Sequence, residues 1–180
     1  MLGTAAALNA TPNSERPPVM TDTANPPGSP ADAADTAPRF GLNAQYTKDL
    51  SFEHPMAPRS FSMNAAPQIS VNVGTQAERV NDTLFEVVLR ILCEAKHGEE
   101  TAFVVDLYYA GLFTIANVPQ EHVEPLLLVE APRLLFPFAR RIVADATRDG
   151  GMPPLMLDPI DFLQQYQRSK QVEAEQKNLA

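Results

Sequence analysis

Cys93, His97, Glu99 and Glu100 are the cluster in this sequence whose residue types could perform covalent or acid–base chemistry. A thiol with an imidazole four residues on could make a nucleophile–base dyad, and paired carboxylates could divide the roles of general acid and base. The spacing argues against both. The residues around Cys93 alternate apolar and polar with period two, and in a strand four residues span about 13 Å, too far for thiol and ring to share a proton. Cys93 also falls on the apolar side of the alternation, where a thiol is an inert filler. Glu99 and Glu100 follow Gly98 in a polar connection, where successive side chains point apart and serve solvation. His54, His97 and His122 have no second ligand at helical or hairpin spacing, and Cys93 is the single cysteine, so neither a metal site nor an intrachain disulfide is expected. Phosphate-binding glycine loops and the nucleophile elbow are absent as well. The chemistry expected of this chain is binding, without cofactor.

The elements that carry these residues follow from the same alternation. Phe85, Val87, Leu89, Ile91 and Cys93, then Phe103, Val105, Leu107 and Tyr109, occupy odd positions, while Glu86, Arg90, Glu94 and Asp106 occupy even ones. Two long strands over 83–115, joined through Gly98, give a hairpin with a core side and a mixed, acidic side. An earlier strand is expected at 46–52, with Lys48, Leu50 and Phe52 on one face and Thr47, Asp49 and Ser51, continued by Glu53, on the other. Another is expected at 68–73, after a crossover loop at 56–67 that carries Phe61 and Met63. The stretch 111–116 completes the last strand. Helices come next: a short one at 121–130 broken at Pro132, then a longer one at 134–149. The longer helix has an apolar stripe of Leu135, Phe138, Ile142 and Ala146, and Gly150 and Gly151 stop it. A last helix starts at Asp158 as N-cap with Pro159 in its first turn, and beyond Gln167 a solvated tail is expected.

Composition narrows the partners. Residues 1–39 hold seven of the 17 prolines and almost no large apolar side chain, so a disordered extension is expected there. A folded domain is expected over 40–167 and a flexible tail over 168–180. The domain carries nine Lys and Arg against sixteen Asp and Glu, which argues against a nucleic-acid partner. No apolar run approaches the roughly 20 residues of a membrane span, and the first ten residues lack the basic start of a secretory signal, so a cytoplasmic location is expected.

Two features point to binding surfaces. Asp49, Glu53 and Asp106, with Val104 beside them, could form an acidic sheet face, for which ordinary solvation of an exposed strand is the plainer account. Phe61 and Met63 in the crossover and Leu155, Met156 and Leu157 between the helices are apolar residues on irregular segments. They line either the domain's own core or a groove for an extended, nonspecific peptide.

Five blocks carry a resemblance: 46–53 (YTKDLSFE), 86–90 (EVVLR), 98–103 (GEETAF), 135–140 (LFPFAR) and 153–159 (PPLMLDP). In this order and at these separations they resemble the bacterial protein-export chaperone family SecB, over about residues 45–167. The resemblance implies an α+β subunit: a four-stranded antiparallel sheet with two main helices packed on one face, assembling into a homotetramer as a dimer of dimers. It implies an ATP-independent holdase that keeps unfolded precursor proteins translocation-competent and delivers them to SecA. By the same resemblance Asp49, Glu53, Val104 and Asp106 form the SecA-binding face, and Phe61, Met63, Leu155, Phe162 and Tyr166 line the peptide groove. A tryptophan common in the family's crossover segment is missing, with Ala65 near its place, and the N-terminal extension is longer than usual. The alternatives are a chaperone of the same fold dedicated to a toxin–antitoxin system or another client, and a small-ligand enzyme using Glu99 and Glu100 or Cys93.

Overall fold

The computed structural model describes residues 36–178. Four strands, β1 (Arg39–Glu53), β2 (Gln68–Arg79), β3 (Leu84–His97) and β4 (Glu100–Ala116), form one antiparallel sheet in the order β1-β4-β3-β2. After the sheet come α1 (Gln120–Pro125), a π-helical turn (Leu126–Glu130), α2 (Ala131–Asp149) and α3 (Phe162–Asn178). The α+β class and the four-stranded antiparallel sheet agree with the expectation.

The alternation in β3 and β4 sorts the sheet into its two faces. Val87, Leu89, Ile91 and Cys93 on β3, with Val105, Leu107 and Phe113 on β4, have no solvent exposure, while Arg90 is exposed and Leu92, Val104 and Asp106 are partly so. The expected hairpin turn is present: His97 pairs with Glu100, leaving Gly98 and Glu99 as the loop, and Gly98 takes the positive φ of 62° that such a turn demands.

Helix α2 covers the core face. Its buried residues include Pro132, Leu135, Phe136, Ala139, Val143 and Thr147, at three- and four-residue intervals. The expected stripe 135/138/142/146 is rotated from this one. Leu134 and Phe138 are exposed, and Phe138 stacks beside Tyr109 at 6.5 Å between centroids. The helix is apolar on more than one side, and the small side chains of Ala139, Val143 and Ala144 select the flank that lies nearest the sheet. At its end Gly150 lies where a Cβ would strike the Phe52 ring at 2.1 Å, so α2 and β1 meet where any side chain would have to displace that ring.

Several boundaries differ from the expectation. β1 starts at Arg39, seven residues before position 46, and β2 runs six residues past 73, to Arg79. Both are edge strands with mixed faces, where alternation is a weak signal. A β-bulge between Thr47 and Asp49 reverses the phase of β1: Thr47 pairs with core-facing Tyr109, and Lys48 reaches Glu86 on the opposite face. Pro132 does not break the helical run: the backbone stays helical from α1 into α2, passing through the π-helical turn immediately before this proline. The last helix begins at Phe162 rather than near Asp158. Asp161 is its cap, accepting the Gln164 N–H at 2.9 Å on its side chain. It continues to Asn178 across the stretch read as tail, since Gln, Lys, Glu and Ala are strong helix formers. The extension expected over 1–39 lies outside the described residues up to position 35.

Cys93 is fully buried, and burial pushes its thiol up from 9.0 to about 11. The unfolded chain therefore ionises this group first. Its contribution to stability is complete below pH 9 and lost as the pH rises towards 11. Urea midpoints of the wild type should fall between pH 9 and 11 more steeply than those of Cys93→Ala; equal slopes would contradict the burial argument.

Candidate functional site

The face of the sheet away from α2 is built by the register of β1 on β4. Asp49 pairs with Tyr108, Ser51 with Asp106 and Glu53 with Val104. Paired residues in an antiparallel ladder project to the same side. The four residues Asp49, Glu53, Val104 and Asp106 are thereby brought together on the uncovered face, as the sequence suggested.

Their charges are not equivalent. Asp106 is held by Arg90 in a two-pronged pair, Nε to Oδ1 at 3.0 Å and Nη2 to Oδ2 at 2.8 Å, and the same guanidinium lies 5.0 Å from the Tyr108 ring centroid. Glu86 is likewise satisfied, by Lys48 Nζ at 2.5 Å and by the Tyr46 hydroxyl, both reaching over β4 where Ala110 leaves room. These two bonds, the one from Lys48 first, lower the Glu86 pKa, and the bond to Glu86 raises that of Tyr46. Glu94 has Lys96 at 3.1 Å. Asp49 and Glu53, both exposed, have no such partner among the described residues. The unpaired negative charge of this face therefore lies at its two edges, two carboxylates on β1 and Glu78 on β2, either side of a centre of Val88, Leu92, Val104 and Tyr108.

On the other side, along β2, lies a groove of about 700 Å³. Ile69, Val71 and Val73 form one wall, Leu155, Met156 and Leu157 the other, and Gln164, Gln165 and Arg168 of α3 close one side. Ile69 is 42% exposed, Val71 46% and Met156 60%. These side chains lie on the core-facing side of the sheet, but α2 does not extend over β2. The second wall is anchored, since Leu157 is in the core and only Met156 is left out.

The structure divides the five expected groove residues. Leu155 lines the groove. Phe61 and Met63 are 55% and 40% exposed in the crossover, apart from the groove walls, with Phe61 edge-on to His54 at 5.2 Å and packed beside Gly151. Arg59, paired with Glu100, and Ser60, 2.8 Å from His54 Nε2, fasten this loop to the sheet end. Phe162 does not offer a surface. It is 2% exposed and packs edge-on against Phe136 at 6.0 Å, because the cap at Asp161 turns it inward. Tyr166 is half-buried, its hydroxyl 3.3 Å from Glu124. Sequence reasoning missed Ile69 and Val71 as groove residues. Their alternation gave the signal, but only knowledge that β2 is an edge beyond the reach of α2 could have interpreted it.

No group of three His, Cys, Asp or Glu among the described residues could hold a metal ion, and no described helix is long and apolar enough to cross a membrane.

Residues 33–173 match the family model described as preprotein translocase subunit SecB. The chain is 51% identical over 138 residues to the protein-export protein SecB of Sphingopyxis alaskensis, covering 77% of this chain and 80% of that relative. It is 48% identical over 152 residues to the protein of the same name from a Bradyrhizobium strain, covering 84% and 90%. Among solved structures, a SecB-like chaperone of Mycobacterium tuberculosis in complex with a ChAD peptide from an antitoxin superposes with a TM-score of 0.58 at 16% identity. That match covers 68% of this chain and 91% of the other. Such a likeness speaks for the fold alone.

The core position of Phe162 and the open position of Met156 have opposite consequences for stability. Phe162→Ala should cost about 3–5 kcal/mol in urea unfolding, whereas Met156→Ala should stay within about 0.5 kcal/mol. Similar small losses for both would contradict the placement of Phe162.

Proposed function

This chain belongs to the SecB family of preprotein translocase subunits, and we propose that the two faces of its sheet divide the work of holding a client and delivering it. The protein is a chaperone of protein export. It works by binding, without catalysis and without ATP, in the cytoplasm. The observation that carries the reading is the groove along β2: exposed Ile69, Val71 and Met156 line an open channel for an extended apolar segment. β2 is one of the two edge strands, so its outer backbone groups are available to a peptide except where the Gln165 amide donates to the Val73 carbonyl at 2.6 Å. Backbone pairing reads no sequence, and a methionine wall adapts to many side chains. Phe61, Met63 and Tyr166 extend the same client surface outside the groove walls, while Phe162 supports it from beneath.

Clients are unfolded precursor proteins, each segment held weakly and the whole held tightly because several grooves act on one chain. That requires an oligomer. β1 is a long edge strand with no neighbour on its outer side among the described residues, and pairing with its own copy about a two-fold axis closes it. Exposed Leu134 and Phe138 on α2 then serve to join two such dimers into a homotetramer. The chain divides accordingly into an N-terminal extension, the chaperone domain and the C-terminal segment.

The uncovered face is the docking surface for SecA. Asp49 and Glu53 supply the unpaired charge, Val104 an apolar contact, and Asp106, neutralised by Arg90, a fixed polar landmark. Dedication to an antitoxin is not favoured: the relatives at about half identity are protein-export proteins, and the SecB-like chaperone with the antitoxin peptide shares 16%.

In calorimetry, Asp49→Ala with Glu53→Ala should weaken SecA binding by about tenfold or more at low salt and leave binding of an unfolded precursor intact. Asp106→Asn alone should cost less than the double change. Unchanged SecA affinity in the double variant would overturn the docking assignment.

A further inference from the structure

The linker between α2 and α3 forms one wall of the groove, yet residues 153–161 have no regular secondary structure. Thr147, in the last turn of α2, fastens it. This side chain is fully buried. Its hydroxyl proton is shared between the carbonyl oxygens of Val143 and Ala144, each 3.0 Å away, and its oxygen accepts the Leu155 N–H at 2.9 Å. The Thr147 carbonyl accepts the Met152 N–H at 3.0 Å. Between these two attachments lie Pro153 and Pro154, which have no N–H to donate. Beyond them Leu157 is held in the core, so Met156 lies between two fixed points and is left in the groove.

We propose that Thr147 is a positioning residue for the client groove. It touches no client, but it holds Leu155 and Met156 as a fixed wall opposite Ile69 and Val71. The proposal rests on reading that groove as the client site. A buried hydroxyl is costly unless its bonds are made, and valine fills nearly the same volume without that cost. Bonding back to the carbonyls of its own helix accounts for the donated proton. It does not account for the acceptor side, which is turned to the Leu155 amide. A loosened wall must be ordered again each time a client segment binds, and the affinity falls by that ordering entropy.

The test compares the full-length wild type with Thr147→Val, Thr147→Ser and Met156→Ser. Two quantities are read: hydrogen exchange at the Leu155 amide, and dissociation of reduced, carboxamidomethylated α-lactalbumin as a permanently unfolded client. Thr147→Val should keep helical circular dichroism and oligomer mass, and speed exchange at Leu155. It should also release the client roughly five- to tenfold faster, the loss expected for one buried hydrogen bond. Thr147→Ser should restore both. Should the valine variant not fold, Thr147→Cys, with a weak acceptor of similar volume, is read in the same way. Faster exchange with unchanged client release, while Met156→Ser does speed release, overturns the positioning role and leaves the groove standing. Unchanged release in Met156→Ser as well overturns the groove reading itself, and the proposal with it.

Discussion

The rest of the molecule depends on the burial of one face of β3 and β4 beneath α2. Val87, Leu89, Ile91 and Cys93 on β3, with Val105, Leu107 and Phe113 on β4, have no solvent exposure, and at about 25 cal/mol per Å² such burial is the dominant favourable term in the fold. One helix is narrower than four strands. Placed over β3 and β4, α2 leaves the core-facing side of β2 open at Ile69 and Val71 and leaves Leu50 of β1 exposed at the other edge. The groove along β2 and the exposed Leu50 on β1 are thus both consequences of where the cover stops.

The opposite face has a different organisation, one of charge. Three of its acidic residues, Glu86, Glu94 and Asp106, are matched to Lys48, Lys96 and Arg90. Surface pairs of this kind contribute little to stability, but they cancel potential. What remains unpaired among the described residues is Asp49 and Glu53 on β1, at one edge of the sheet, and Glu78 on β2, at the other. The bulge at Lys48 has a part in this, because it turns the lysine onto the same face as Asp49 and lets it reach across β4 to Glu86.

The hairpin, its turn and the sorting of its two faces were legible in the sequence, because strict alternation over long strands admits one solution. The acidic constellation was also legible, although its assembly needed the pairing of β1 with β4, which alternation alone does not state. Edge strands were underestimated in length, since Arg39 to Gln45 and Gly74 to Arg79 carry mixed side chains on both sides. The rotation of α2 was not legible: Leu134, Leu135, Phe138 and Ala139 are all apolar, and only contact with the sheet chooses among them. Phe162 was misplaced for a related reason. Asp158-Pro159 and Asp161 are both plausible helix starts, and the choice of Asp161 decides which aromatic enters the core.

The proposed division of labour places client and SecA on different faces of one sheet. The decisive measurement is the light-scattering mass of a mixture of this protein, an unfolded precursor and SecA, without nucleotide. A single species whose mass is the sum of all three is the predicted result. Separate species, in which SecA and the precursor exclude one another, would contradict the account.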